Sequence, residues 1–208
     1  DTVGGGRRST KTYRSRLSKF KATMPKYNAL KEVGANAALM VRTAGVPAIM
    51  YGCETFGMSD SCLNEARCKV ANAAAPNAGG KNHVLALLAM DGQHGTLDPL
   101  FDAHIGPIKH WALAVWDKWF SVEHMQDTLD RARHKLGSAR GSWWSLVAGP
   151  TTAVLASLRR IRWQCTSATT LRTDVGRTLD LLLDPPVVIA NEVKGAIRRL
   201  RWGQAGMI

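Results

Sequence analysis

A chain of 208 residues that is 45% hydrophobic and 21% charged has the balance of a folded domain with a real core, not of a disordered segment. Its net charge of +12 points to polyanionic partners, nucleic acid first, an anionic membrane surface or acidic protein second. No apolar run reaches the roughly 20 residues a membrane helix needs, so no membrane span is expected.

In chain order, "DTVGGGRRST" reads as a flexible glycine-rich entry, and its first residue, Asp1, fits a processed product or a piece of a longer chain. Tyr13, Leu17, Phe20 and Met24 then recur at helical steps and make one apolar stripe. Around it, and continuing from Arg7 and Arg8, stand Lys11, Arg14, Arg16, Lys19, Lys21 and Lys26, with no acidic residue between Asp1 and Glu32. Pro25 is expected to kink or end this helix. "ANAALMVRTAG" reads as a short helix closed by Gly45, and "PAIMYGCETF" as a second with Pro47 in its first turn. Ser59 or Asp60 caps a third, "SCLNEARCKVANAAA", which stops before Pro76. "HVLALLAM" is a short buried helix ended by "DGQHG", and Asp98-Pro99 is a strong helix start.

Beyond Pro107, the spacing places Ile108, Trp111, Val115 and Trp119 on one helical face, with Trp116 and Phe120 beside it. Val122, Met125, Leu129, Ala132 and Leu136 define a further amphipathic helix stopping at Gly137. After Gly149-Pro150 the texture changes: "TTAVLASLRRIRW" is helical, whereas "TTLRTDVGRTLDLL" alternates around Asp174-Val175-Gly176 as a β-hairpin does. Asp184 with Pro185 and Pro186 starts a last helix. The fold class expected is mainly α, a helical bundle-like region followed by a small α+β tail with one β-hairpin. The segments are 1–34 as basic arm and helix, 35–148 as the helical region and 149–208 as the tail.

Catalytic chemistry is hard to find in this pattern. Cys62 and Cys68 are six apart, as are His104 and His110, which matches no zinc knuckle, finger or HExxH. The four cysteines have no CxxC spacing and suit a reducing, intracellular setting, nuclear or cytoplasmic. The early "GGG" is not followed by GK[ST], and no adjacent Asp-Asp occurs, so neither a phosphate loop nor a two-metal site is read. No metal and no cofactor is expected. Binding remains. The cations of the arm suit phosphates. The echo "LRRIRW" and "IRRLRW" adds Arg159, Arg160, Arg162 and Arg198, Arg199, Arg201 beside Trp163 and Trp202. These tracts serve either as secondary basic patches or as helix-terminal cations favoured by the dipole, with tryptophan covering the core.

The stretch "MYGCETFGMSD", with Tyr51, Gly52, Glu54 and Phe56, resembles the "LLYGxExW" signature found downstream of the polymerase palm in LINE-type (non-LTR) retrotransposon reverse transcriptases. Phe56 stands where the more widespread elements carry Trp. The flanking "GGGRRSTKTYRSRLSKFKATMPKYNAL", "LDPLFDAHIGPIKHWALAVW" and "TTLRTDVGRTLDLL" look like the corresponding segments of such proteins in protist and algal genomes, so the resemblance covers most of the chain. It implies the thumb or connecting region and tail after the palm, which would grip RNA or an RNA–DNA template–primer. The family's catalytic [FY]xDD box has no counterpart here, so the resemblance implies no catalytic residue and no enzyme in this chain by itself. The alternative reading is a retroelement-derived structural subunit of a larger protein or ribonucleoprotein assembly. On either reading Glu54 is expected to be a structural carboxylate paired with a cation such as Arg42 or Arg67, or with backbone donors, because a buried lone carboxylate is costly.

Overall fold

The computed structural model describes residues 10–77, 79–91 and 95–206. It is mainly α with a small three-stranded antiparallel sheet near its C-terminal end. The expected glycine-rich entry, with Arg7 and Arg8, lies outside the described residues.

Helices α1 (Lys11–Ala22) and α2 (Met24–Glu32) part at Thr23, because Pro25 belongs to the first turn of α2 and offers no N–H to the turn before it. Leu17 and Phe20 are buried and Tyr13 and Met24 pack against the core, which is the apolar stripe read from the spacing. The next segment departs from expectation. Gly45 does not close a helix. Instead α3 (Ala37–Met40), a π-helical turn (Val41–Gly45) and α4 (Val46–Met50) are continuous, and Val46 N–H reaches back five residues to Val41 O. The wide turn falls directly before Pro47, whose ring and missing N–H an unbroken α-helix would not accommodate. A short α5 (Cys53–Phe56) and the long α6 (Asp60–Ala74) follow. Ser59, not Asp60, is the N-cap of α6, accepting from Cys62 N.

After α7 (His83–Asp91) comes α8 (Pro99–Trp116), the spine of the protein. It packs against α4, α5, α6, α10 and α11. Asp98 caps it as expected, accepting from Leu100 N at 3.0 Å. The helix runs unbroken through Pro107 and then stops three residues short of Trp119. Lys118 takes φ 51°, with Lys118 N bonded to Val115 O and Trp119 N to Ala114 O. Such a Schellman closure reverses the chain, so Trp119 and Phe120 are exposed; within the helix Trp116 faces outward while Ile108, Trp111 and Val115 are buried. The expected common face ends with Val115.

Helix α9 (Val122–Gly137) buries Met125, Leu129, Ala132 and Leu136, and leaves Val122 exposed. After a 3₁₀ turn (Trp143–Ser145), α10 (Pro150–Arg160) leads into β1 (Gln164–Ser167), β2 (Thr170–Arg172) and β3 (Thr178–Asp180). The hairpin of β2 and β3 turns at Asp174–Gly176, with Leu171 opposite Leu179. Strand β1, which helical spacing up to Trp163 concealed, pairs with β2. Its outer side is covered by α9: Gln126 Oε1 accepts from Ala168 N at 2.8 Å, and Arg133 donates to the carbonyls of Cys165 and Thr166. Helix α11 (Pro186–Ala205) completes the chain with Pro185 as its N-cap. Asp184 instead accepts from Asp180 N. The change of texture at Gly149-Pro150 marks the start of α10, while one hydrophobic core runs through all three segments.

Four buried charges join α6, the α7–α8 connection and α11. Arg67 donates to both oxygens of Asp98 at 2.9 and 3.0 Å. Arg201 lies with Nε 3.3 Å from Asp98 Oδ2 and Nη1 3.4 Å from Asp91 Oδ2, its guanidinium 5.2 Å from the centroid of Phe101. Asp91 also accepts from the backbone N–H groups of Thr96, Leu97 and Asp98. Removing one partner of such a cluster strands the others in a medium that cannot solvate them. Asp98→Asn is therefore expected to cost about 3–5 kcal/mol of unfolding free energy in a denaturant titration.

His104, on the same helix and fully buried, has its Nδ1 2.6 Å from Leu100 O. Burial first, and then the Arg160 charge, push its pKa down from 6.5 to about 3. The unfolded chain takes up that proton as pH falls through about 6.5 and the folded chain does not, so stability drops in this window by up to about 1.4 kcal/mol per pH unit. Asp102, raised by burial and by Asp91, acts in the opposite sense when it protonates. His104→Leu should flatten the slope of stability measured between about pH 6.5 and 5.

Candidate nucleic-acid interface

The arm is two short helices, and α1 has two different sides. Leu17 and Phe20 face the core, while Lys11, Arg14, Lys19 and Lys21 on α1 and Lys26 on α2 are exposed. No acidic side chain stands among residues 10–31 to neutralise them. Arg16 is the exception. Its guanidinium sits 5.0 Å from the Tyr51 ring centroid and donates to Tyr51 O, so it ties α1 to the corner after α4. Lys31 is also structural, a role no spacing signalled: its ammonium donates to Asn72 O, Ala75 O and Asn77 Oδ1 and closes the C-terminus of α6.

The stretch 51–57 forms a corner around α5. Gly52 takes φ 84°, and Gly57 takes φ 58° with the Trp144 ring against it: a Cβ on Gly57 would lie 2.7 Å from Trp144 Cζ3. On the far side α5 lies flush on α8 at Gly106, where an added Cβ would meet Cys53 Sγ and Glu54 Cα at 3.3 Å. Tyr51 is exposed, Phe56 half-buried and Cys53 buried, its Sγ donating to Asp102 O at 3.3 Å. Burial and the nearby Asp102 and Glu54 charges push this thiol up, out of the nucleophilic range.

Glu54 corrects an expectation. Arg67 is committed to Asp98 and Arg42 points to Met90 O at 3.5 Å, so neither pairs with it. Glu54 is half-buried in the first turn of α5, where a short helix already favours a carboxylate and solvent still reaches it.

The two basic tracts divide, and the second is mainly structural. Arg201 is buried within the charge cluster and has no surface to offer, which removes it from the secondary patches. Arg199 forms a two-pronged pair with Asp174 at 2.7 Å per bond, and Trp163 Nε1 donates to the same carboxylate at 2.9 Å. The Arg199 hydrogen bonds hold the Asp174 carboxyl below the usual range. The echoed tracts thus meet at one aspartate in the hairpin turn. Trp163 is buried there, whereas Trp202, its counterpart, is exposed. Arg160 pairs with Asp60, donates to Met58 O at 2.7 Å and stacks on Trp144, pinning α10 to the start of α6. Arg198 is exposed, as are Arg159 and Arg162.

Among the described residues no group of three or more His, Cys, Asp or Glu is placed to hold a metal ion, and no helix is long and apolar enough to cross a membrane. Comparison of the chain with protein-family models, curated proteins and solved structures finds no match.

The corner is a structural requirement, and two substitutions separate its parts. Gly57→Ala combines an unfavourable φ with a clash on Trp144 and should cost about 2–4 kcal/mol. Glu54→Gln should change the same denaturation midpoint by about 0.5 kcal/mol or less.

Proposed function

We propose that this chain is a non-catalytic nucleic-acid-binding region, the part of a LINE-type reverse transcriptase that follows the palm and grips the template–primer. The observation that carries the reading is the arm: five exposed cations on α1 and the start of α2, no acid among them, on a helix whose opposite side is anchored in the core. A helix held in this way presents its charges without paying the entropy of ordering a free tail. RNA or an RNA–DNA duplex is the proposed partner, and the resemblance of the 51–57 stretch to the family signature supplies the parent protein.

A second reading, a retroelement-derived structural subunit, is favoured by one observation. Trp116, Trp119, Phe120 and Val122 are exposed at the α8–α9 turn, a cluster of apolar side chains of the kind that protein partners cover.

Binding of the chain to single-stranded RNA across a salt series separates the two. Reversing Lys11, Arg14, Lys19 and Lys21 to Glu should flatten the log–log salt dependence by about 3, at about 0.7 per phosphate lost. An affinity that ignores salt, alongside tight binding to a protein assembly, would favour the second reading.

A further inference from the structure

One cavity gathers arginines from separate parts of the chain. Arg133 of α9, Arg159 in the last turn of α10 and Arg162 just beyond it line a cavity of about 420 Å³, together with Trp143, Leu155, Leu158, Trp163, Gln164 and Cys165. None of the lining residues is an aspartate or glutamate. Two of the three guanidinium groups are held in place. Arg133 is fixed by Asp130 at 2.8 Å and by the carbonyls of Cys165 and Thr166. Arg159 lies over Trp143, 4.3 Å from the ring centroid. Arg162 is exposed, and only its main chain is fixed.

That backbone is unusual. Helix α10 ends in a Schellman closure, Trp163 N to Leu158 O at 2.9 Å and Arg162 N to Arg159 O at 3.1 Å. The residue between them must be left-handed, a position where glycine is the ordinary occupant. Here it is Arg162, at φ 60°. The C-terminal dipole of α10 favours a cation and offsets part of this cost. It does not account for Arg159 and Arg133 at the same space, of which only Arg133 has a carboxylate partner, Asp130. Among the described residues Arg159 and Arg162 have no acidic partner.

We infer that Arg159 and Arg162, with Arg133 as the structural wall beside them, form a phosphate subsite that receives one phosphodiester of a nucleic-acid strand. Guanidinium groups match phosphate oxygens with paired, directional N–H donors, and an arginine stacked on tryptophan is already oriented for such contacts. The cavity exceeds a single phosphate and has an apolar floor of Leu155 and Leu158, leaving room for the adjoining nucleoside. The assignment rests on the nucleic-acid reading proposed above and adds to the arm a second, preformed point of contact. Of its members, Arg159 and Arg162 were legible in the sequence; Arg133 and Trp143 are joined to them only by the fold.

The test uses the full chain and a single-stranded RNA oligonucleotide, with fluorescence anisotropy read across a salt series. The double substitution Arg159→Gln with Arg162→Gly should weaken binding and flatten the log–log slope by about 1.4. Arg162→Gly alone should weaken binding without lowering Tm, since glycine suits the left-handed position, and this excludes misfolding as the cause. Arg131→Gln, an exposed arginine of α9 paired with Asp127 and outside the cavity, should leave affinity unchanged. Wild-type binding that the double substitution does not alter overturns the subsite and leaves the broader reading standing. Wild-type protein that shows no salt-dependent RNA binding overturns both.

Discussion

Two arginines and two aspartates, almost out of reach of solvent, decide where the central helix lies. Asp91 ends α7 and collects the backbone N–H groups of residues 96–98; Asp98 caps α8 and receives both prongs of Arg67; Arg201 closes the cluster from α11. Burying four charges is costly, and the two carboxylates each meet several directed donors, while among the described residues Arg201 Nε and Nη2 make no hydrogen bond and hold by charge alone. The cluster is also selective. A helix that slid by one turn would leave charges unpaired, so the register of α6 and α11 on α8 is set by ion pairing as well as by packing.

The rest of the molecule is assembled on that spine. Helix α5 lies close on α8 because Gly106 has no side chain to hold it off. The sheet is tied to the same helix by Trp111 Nε1, which donates to Ala168 O at 3.0 Å. Both ends of the tail are thereby committed to the helical region, Trp111 holding the sheet and Arg201 holding α11. The described residues share one main core, with a smaller cluster of Trp144, Val147, Ala153 and Ala156 besides, although the secondary structure changes character half-way through the last hundred residues.

A net charge of +12 does not mean a dozen free cations. The side chains divide by chemistry. Arginine, with a planar fork that satisfies two acceptors at once, does most of the internal work: Arg67, Arg160, Arg199 and Arg201 each join distant parts of the chain. Lysine dominates the exposed face of α1 and α2, Lys31 excepted. The excess of positive charge is therefore concentrated where acids are sparse, along the arm and at Arg159 and Arg162. In the proposed function these are the surfaces that meet phosphate. The 51–57 corner, the most distinctive motif in the chain, shapes the protein by its glycines.

Local physics made much of the fold readable in advance. The steps of three and four from Tyr13 to Met24, the Asp98-Pro99 start, a cap at one of Ser59 and Asp60 and the alternation around Asp174-Val175-Gly176 all concern neighbours in sequence, and each appears where that logic puts it. The basic face of the arm was legible for the same reason, since it needs only one helix and no partner. Other features depend on residues far apart in the chain. Nothing near Arg201 distinguishes it from Arg198 or Arg199; only the arrival of Asp91 and Asp98 from about a hundred residues away makes it a core residue. Helical spacing alone could not show that β1 would find an edge to pair with, or that α8 would continue through Pro107 and turn away before Trp119. Local preference sets which segments are helices and which face is apolar or charged. Long-range pairing decides which charges are spent inside the protein and which remain to bind, because the cost of burying an ion depends on who stands opposite it.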